Sequence, residues 1–394
     1  MKPPMPCNPY LLILAACAAL TVVPIAAGAQ SLTAAGGLGL VVEPTDARGR
    51  GLGGVALGLP SSSISWTNPA EAVGLPAPGL RVVFQYDQFT STYGSRSTDG
   101  STARFPLLMG AFPIGDRAAI SVGAAGFLDQ NYAVESEDTL ILGGDSVAIR
   151  DRFSSEGGVS QLRLAGGYRV IEGLAVSAGV DMYVGGVDRG FGRLFPGQAA
   201  PACCTGSWSY SGFGGVAGAV WRPSPALTVS AATTVGGTLR AEPDDTVSVE
   251  RSYQIPMRFS LGASGRVANN LLLALATDWG GWSSLDDELA DAGHARDSWS
   301  ARGGVEWDGL VLGSRPLPLR LGGRYATLPF GWSNAGEDGV GTVERALTSG
   351  FGLVLAGGAV RTDLAVERGW RGGDQAGIDE SFWKFTFSVN ALGR

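Results

Sequence analysis

The chain has 394 residues, 61 of them Gly, with 16% charged residues, a single His and a formal net charge of -7. An average soluble domain carries about 25% charged residues and about 7% Gly, so an ordinary soluble enzyme is a poor match. An apolar fraction of 45% excludes a disordered chain, the negative charge argues against nucleic acid, and no mature segment supplies the roughly 18 consecutive apolar residues of a membrane helix. Two classes remain for short, Gly-rich, half-apolar segments: a multi-sheet soluble β-protein or a single β-barrel in a membrane.

The N-terminus sets the compartment. Lys2 precedes an apolar run from Tyr10 to Ala27, interrupted by Pro24, and Ala27-Gly28-Ala29 fits a small-x-small cleavage site. Residues 1–29 read as a cleaved secretory signal, with Gln30 the first mature residue. A lipoprotein box at Leu14-Ala15-Ala16-Cys17 is the alternative, but it leaves an apolar core of about five residues where a signal needs about 7 to 15. Either route exports the protein.

Residues 30–78 form a second unit, rich in Gly, Ala, Ser and Pro, with weak alternation. It is too apolar for a solvated tail. From Leu80 onward, apolar and polar residues alternate with a period of two, the mark of half-buried strands. Leu80, Val82, Phe84 and Tyr86 define one such face; Leu162, Leu164 and Tyr168 another; Ile255, Met257, Phe259 and Leu261 a third; Trp383, Phe385, Phe387 and Val389 a fourth.

Strands are expected near 79–90, 103–113, 117–128, 157–170, 174–188, 207–222, 226–241, 249–266, 270–282, 298–308, 317–330, 344–357, 360–370 and 381–392. Tight turns at Ile114-Gly115-Asp116, Ile171-Glu172-Gly173, Pro223-Ser224-Pro225, Ala268-Asn269-Asn270 and Gly357-Gly358-Ala359 alternate with long polar connections. The long ones run from Gln130 to Glu156, Arg189 to Ser207, Ser283 to Asp297, Gly331 to Val343 and Arg371 to Glu380. Short turns on one side and long loops on the other are the pattern of an outer-membrane barrel, with the short side toward the periplasm.

Two aromatic girdles are expected as well, Phe112, Trp221 and Trp307 by the short turns and Phe127, Trp279, Trp299, Phe330 and Trp370 by the long loops. The sequence therefore predicts an all-β fold: one transmembrane antiparallel β-barrel of about fourteen strands over residues 79–394, with residues 30–78 as a luminal hatch.

Chemistry-bearing residues are few. Cys203 and Cys204 are adjacent in a loop-like Pro-Ala-Cys-Cys-Thr-Gly stretch and cannot frame a fold, and zinc would need ligands that one His does not supply. His294 stands in an expected surface loop, and the acidic run Asp286-Asp287-Glu288 with Asp291 matches no calcium-loop spacing. No phosphate-binding motif opens a helix. The reading is a non-enzyme with no cofactor and no metal.

Gly49-Arg50-Gly51-Leu52-Gly53-Gly54-Val55-Ala56-Leu57, followed by Ser63-Ile64-Ser65-Trp66-Thr67-Asn68-Pro69-Ala70, resembles the hatch of the FadL-type long-chain fatty-acid and hydrocarbon transporters. Ile255-Pro256, Thr277-Asp278-Trp279, Arg320-Leu321-Gly322-Gly323-Arg324-Tyr325 and Asp363-Leu364-Ala365 extend that resemblance along the barrel. The same hatch and barrel size also look like PorV-type secretion barrels. The last aromatic, Phe387, lies inward of Arg394, unlike the terminal aromatic that the assembly machinery reads in many barrels.

The resemblance implies transport of small hydrophobic molecules, long-chain fatty acids or aromatic hydrocarbons, across the bacterial outer membrane. The expected partners are that ligand, outer-membrane lipid and the barrel-assembly machinery, with the chain a monomer. Asn68, Pro69 and Ala70 are the expected gating turn. Gly123 and Gly126, interrupting the third strand, are the expected lateral opening, since glycine within a strand often marks a bulge or bend. The alternatives are a barrel that binds secreted protein at its outer loops, or a passive structural barrel.

Overall fold

The computed structural model describes residues 31–60, 63–196, 202–245, 249–289, 294–313, 315–331, 342–372 and 378–393. The signal segment lies outside the described residues. In the N-terminal unit a short strand β1 (Leu40–Val41) and helix α1 (Ala47–Gly51) are flanked by 3-10 turns at Leu32–Ala35 and Pro69–Ala72.

The strands that follow are β2 (Gly79–Tyr93), β3 (Arg96–Ile114), β4 (Ala118–Asp129), β5 (Tyr132–Leu142), β6 (Asp145–Ile171), β7 (Leu174–Leu194), β8 (Ala202–Ser224) and β9 (Leu227–Pro243). Then come β10 (Arg251–Gln254), β11 (Arg258–Ala268), β12 (Leu271–Gly280), helix α2 (Asp286–Leu289), β13 (His294–Ala295), β14 (Ser298–Trp307), β15 (Val311–Leu312) and β16 (Arg315–Pro316). The chain ends with β17 (Leu319–Thr327), β18 (Phe330–Gly331), β19 (Val343–Leu355), β20 (Val360–Gly372) and β21 (Ile378–Leu392).

Fourteen of these strands form a closed antiparallel barrel. Neighbours in sequence pair in turn, and β2 closes the ring on β21 with Phe84 opposite Phe387. Closure removes the unpaired edges that a membrane would not tolerate.

The burial pattern is inverted relative to a soluble protein. On β6, Leu162 and Leu164 face outward while Gln161, Arg163 and Ala165 are buried; on β17, Leu321 is 63% exposed and Arg320 is 2% exposed. Apolar residues face lipid because the outer wall has no water to satisfy polar groups, and the charged residues turn inward. Among the described residues no helix is long and apolar enough to cross a membrane.

Several local expectations are corrected. Residues 130–156, and residues 189–196 and 202–207, extend the wall: β5 pairs with β6 and the outer part of β7 pairs with β8. At about 3.3 Å per residue, 27-residue β6 runs about 90 Å, far beyond an apolar band of about 25 Å, so these strands project from the outer face. Cys203 and Cys204 therefore lie in strand β8, and Cys204 is exposed with a free thiol.

Phe127 and Phe330 are buried in the lumen and do not join the outer girdle, while Phe112, Trp221, Trp279, Trp299, Trp307 and Trp370 do face outward. Ile255 is also buried, because Pro256 breaks the strand between β10 and β11 and resets which face each residue takes. The expected loop from Ser283 to Asp297 is not simply polar in its described part: Leu285 and Leu289, with the preceding Trp282, fold back into the barrel mouth.

Candidate functional site in the lumen

Residues 31–60 and 63–78 sit inside the barrel and touch its wall at three levels. Toward the outer end, β1 adds to the inner edge of β4, with Leu40 opposite Asp129 and Val41 opposite Leu128. At mid-depth, the glycine motif lies on strands that carry glycines of their own. A Cβ on Gly53 would stand 2.7 Å from the Gly303 carbonyl oxygen, and one on Gly304 would stand 2.7 Å from the Leu52 Cα. Gly53 also holds a φ of +80°, which a side chain would oppose. The motif is glycine-rich because backbone meets backbone there.

Toward the periplasmic end, Asn68 is completely buried and ties three strands together. Its Nδ2 donates to the Ala219 carbonyl and the Ser230 hydroxyl, each at 2.8 Å, and to the Ala231 carbonyl at 3.2 Å. Its Oδ1 accepts from the Ala70 amide at 3.0 Å and from the Ser177 hydroxyl at 3.3 Å. Pro69 opens the 3-10 turn where its fixed φ suits the first position, and Asn68 caps it. Asn68, Pro69 and Ala70 thus form a buried anchor against β7, β8 and β9.

The plug carries charge into the lumen, where it is matched. Arg48 pairs with Glu306 through two bonds of 3.0 and 2.7 Å, and Glu306 also takes Arg320 at 2.6 Å. Glu43 accepts from Arg302 at 2.5 Å and from Arg50 at 3.1 Å. Along the wall, Arg324 joins Glu344 and Glu367, while Arg371 joins Glu344 and Glu380, each pair at 2.5 to 3.0 Å. On the far wall Arg163 grips Asp181 through bonds of 2.6 and 2.8 Å and stacks 4.5 Å above the Trp66 ring.

Burial raises the Glu43 carboxyl, but Arg302, Arg324 and Arg50 outweigh that and hold its pKa at about 2. Glu71 is different: burial dominates and pushes its pKa up, despite the Gly58 amide that donates to it at 2.6 Å.

Above this network, toward the outer end, packs an apolar cluster that includes Phe127, Tyr183, Tyr210, Leu239, Trp282, Leu285 and Phe330. Between cluster and network lies a cavity of about 180 Å³. Trp66, Phe127, Trp282, Arg258 and Lys384 line it, and it reaches Val42 and Gly126 at the wall.

There the wall has a seam. β3 pairs with β4 only from Leu107 opposite Ala125 down to Ile114 opposite Ala118, although both strands continue beyond Leu107 and Ala125. Pro106, which has no amide hydrogen to donate, precedes the last paired residue of β3. Just past that point β4 bulges, with Gly126 opposite Ser160 and Leu128 opposite Val159, leaving Phe127 as the extra residue that turns into the lumen.

Arg104 bridges the seam to Asp129 at 2.6 Å, and β1 fills it from inside. Gly126 stands at the seam, and a Cβ on it would lie 3.0 Å from Val42. Gly123 does not: it pairs with Met109 inside the intact β3–β4 ladder, where a Cβ would press within 2.6 Å of the Leu108 carbonyl.

His294 is exposed on the outer rim, its Nδ1 3.2 Å from an Asp286 carboxylate oxygen that also accepts the Ala295 amide at 2.7 Å. Among the described residues no group of acidic, His and Cys side chains is arranged to hold a metal. Sequence reasoning missed the ionic network. Its signal was present in the single charges at inward, period-two positions such as Glu306, Arg320, Arg324, Glu344, Glu367 and Arg371.

The fold and its plugged lumen define the class: an outer-membrane β-barrel of FadL-like architecture. The chain matches the BamG family model over residues 10–224, more than half its length, and belongs to that family. A comparison with curated protein sequences finds no match.

Among solved structures, a Pseudomonas aeruginosa FadL homologue is similar at 14% identity, with 91% of this chain and 99% of that one covered and a TM-score of 0.60. The monoaromatic hydrocarbon channel CymD follows at 17% identity, 91% and 98% coverage and a TM-score of 0.55. The Pseudomonas putida toluene transporter TodX gives 13% identity, 90% and 99% coverage and a TM-score of 0.55. These likenesses establish the fold.

Proposed function

We propose that this barrel admits small hydrophobic molecules across the outer membrane, without chemical conversion and without a cofactor. The ligand enters past the apolar cluster at the outer mouth, occupies the cavity beside Phe127, and leaves through the seam between β3 and β4. The observation that carries this reading is the reach of one cavity from Trp66 and Trp282 to Val42 and Gly126, where the wall ladder has parted. Sideways exit suits an apolar molecule, which then avoids the aqueous periplasm. The shared fold with a FadL homologue, a monoaromatic hydrocarbon channel and a toluene transporter supports the same reading.

Cavity size narrows the ligand. An apolar cavity of about 150 Å³ holds one benzene ring, and drug-sized ligands need about 300 Å³ or more. About 180 Å³ therefore favours a single ring over a long acyl chain. A gate at Asn68-Pro69-Ala70 would have to release the Asn68 amide from β8 and β9, whereas the segment around Val42 is held to β4 by few bonds, such as the Val42 amide to the Phe127 carbonyl at 2.9 Å. In the proposed passage the Val42 segment moves and Asn68 remains the anchor.

The test is toluene entry into cells that carry this barrel as their added outer-membrane channel. Wild type should exceed cells without it, and Gly126→Val should reduce entry while the barrel still assembles. Entry no faster than in cells lacking the barrel would refute the proposal.

A second reading, a barrel that binds protein at its rim, is favoured by one observation. The outer hairpin of β5 and β6 projects far beyond the wall, and β5 and the outer part of β3 each have one edge without a backbone partner among the described residues. Such edges accept an added strand. Co-purification of a stoichiometric partner that is lost when residues 133–153 are removed, with toluene entry absent, would favour this reading.

A further inference from the structure

The cavity wall is unevenly charged. Eight basic side chains face it, against the three carboxylates Glu43, Asp278 and Glu344. Six of the eight are held by carboxylates, as Arg324 and Arg371 are by Glu344. Arg258 and Lys384 form no ion pair among the described residues.

The Arg258 guanidinium sits 5.4 Å from the Phe127 ring centre, and its Nε has no hydrogen-bond acceptor. Lys384 is attracted by Asp87, Glu367 and Glu344, but Asp87 is already bound by Arg104 at 2.8 Å and by Gln85 at 2.9 Å, Glu367 by Arg324 at 3.0 Å, and Glu344 by Arg324 and Arg371 at 2.5 and 2.6 Å. The aromatic part of the cavity is a stack: Phe127 lies 6.3 Å from Trp282 at an interplanar angle of 22°, and 4.8 Å from Tyr183.

We infer that the cavity selects a small aromatic anion, one ring bearing a carboxylate, over a neutral hydrocarbon of the same size and over a long-chain acid. This rests on the uptake reading above for entry and for the cavity, and replaces its neutral ligand by an anion, for which the sideways exit argued there offers no gain. A cation removed from water without a counter-charge is costly, and a carboxylate entering beside it recovers that cost while its ring packs on Phe127. A neutral ring leaves Arg258 and Lys384 without a direct ion-pair partner. A long acyl chain exceeds the space.

The experiment is calorimetric titration of the purified full-length barrel in detergent with benzoate, its neutral isostere benzamide, toluene and hexadecanoate. Benzoate should bind wild type about tenfold or more tightly than benzamide or toluene, and Arg258→Gln and Lys384→Gln should each lower the ratio of benzoate to toluene affinity by about tenfold or more. The comparison of benzoate with benzamide needs no variant, so a variant that fails to assemble does not remove the test.

Toluene or benzamide binding as tightly as benzoate, or benzoate unaffected by both substitutions, would overturn the anion assignment and leave uptake of neutral rings standing. Hexadecanoate outcompeting benzoate would overturn the size argument and with it the ring assignment. Binding of none of the four would overturn this inference and the uptake reading together.

Discussion

Replacing Asn68 by Ala should free the plug from the wall without unfolding the barrel. The side chain is inaccessible to solvent, and its three shortest bonds, to Ala219, Ser230 and Ala70, measure 2.8, 2.8 and 3.0 Å. A buried neutral hydrogen bond contributes about 1 kcal/mol net, so losing three weakens docking by about 3 kcal/mol, roughly a hundredfold rise in the detached population.

The strand carbonyls keep a second lone pair and the serine hydroxyls can rotate, which places the loss nearer this value than the full desolvation cost of five orphaned groups. The assay is amide hydrogen exchange of residues 63–75 in the detergent-folded protein, with heat-modifiable gel migration as the check that the barrel is intact. Exchange there should accelerate by about two orders of magnitude while the β7 and β8 amides stay protected. Unchanged exchange at residues 63–75 in an assembled variant would refute the anchoring role.

Other outcomes follow from the same geometry. The Glu43 carboxyl sits at about 2 in the folded protein against an ordinary 4.5, so its contribution to docking is fully present above 4.5 and is lost as pH falls from there toward 2; exchange of the residues around it should rise only within that window. Glu71 has the opposite sign: its raised pKa means that docking is favoured by the protonated form and loses that contribution as pH climbs above the ordinary value. Glu71→Gln should therefore slow exchange of residues 63–75 at neutral pH, and faster exchange would contradict this. Gly304→Val places a side chain where the Leu52 backbone lies 2.7 Å from the Cβ position, and should expose the segment 47–54 to protease in a barrel that still migrates as folded. Gly123→Val should impair assembly, because its Cβ presses on the β3 backbone, whereas Gly126→Val should assemble; the reverse result would misplace the seam.

The strand plan was legible in the sequence because lipid and lumen impose opposite demands on alternate residues, and that demand is local. The run from Leu162 to Tyr168, or from Trp383 to Val389, carries its own orientation whatever it pairs with. The glycine motif at 49–54 and Asn68-Pro69-Ala70 were likewise visible, since a backbone that must approach another backbone or turn sharply restricts the residues that fit.

What the sequence could not supply was any property that depends on two distant strands being side by side. Ile255 was assigned to the outer face by alternation, and Phe127 and Phe330 by their place beside long loops; only the breaks at Pro256 and at the β4 bulge turn Ile255 and Phe127 inward. The pairing of Arg48 with Glu306 joins residues 258 positions apart, and no local pattern records which carboxylate an arginine will meet. The same holds for Arg258 and Lys384: being left without an acidic partner is a fact about every neighbour in the closed barrel, and closure alone decides it.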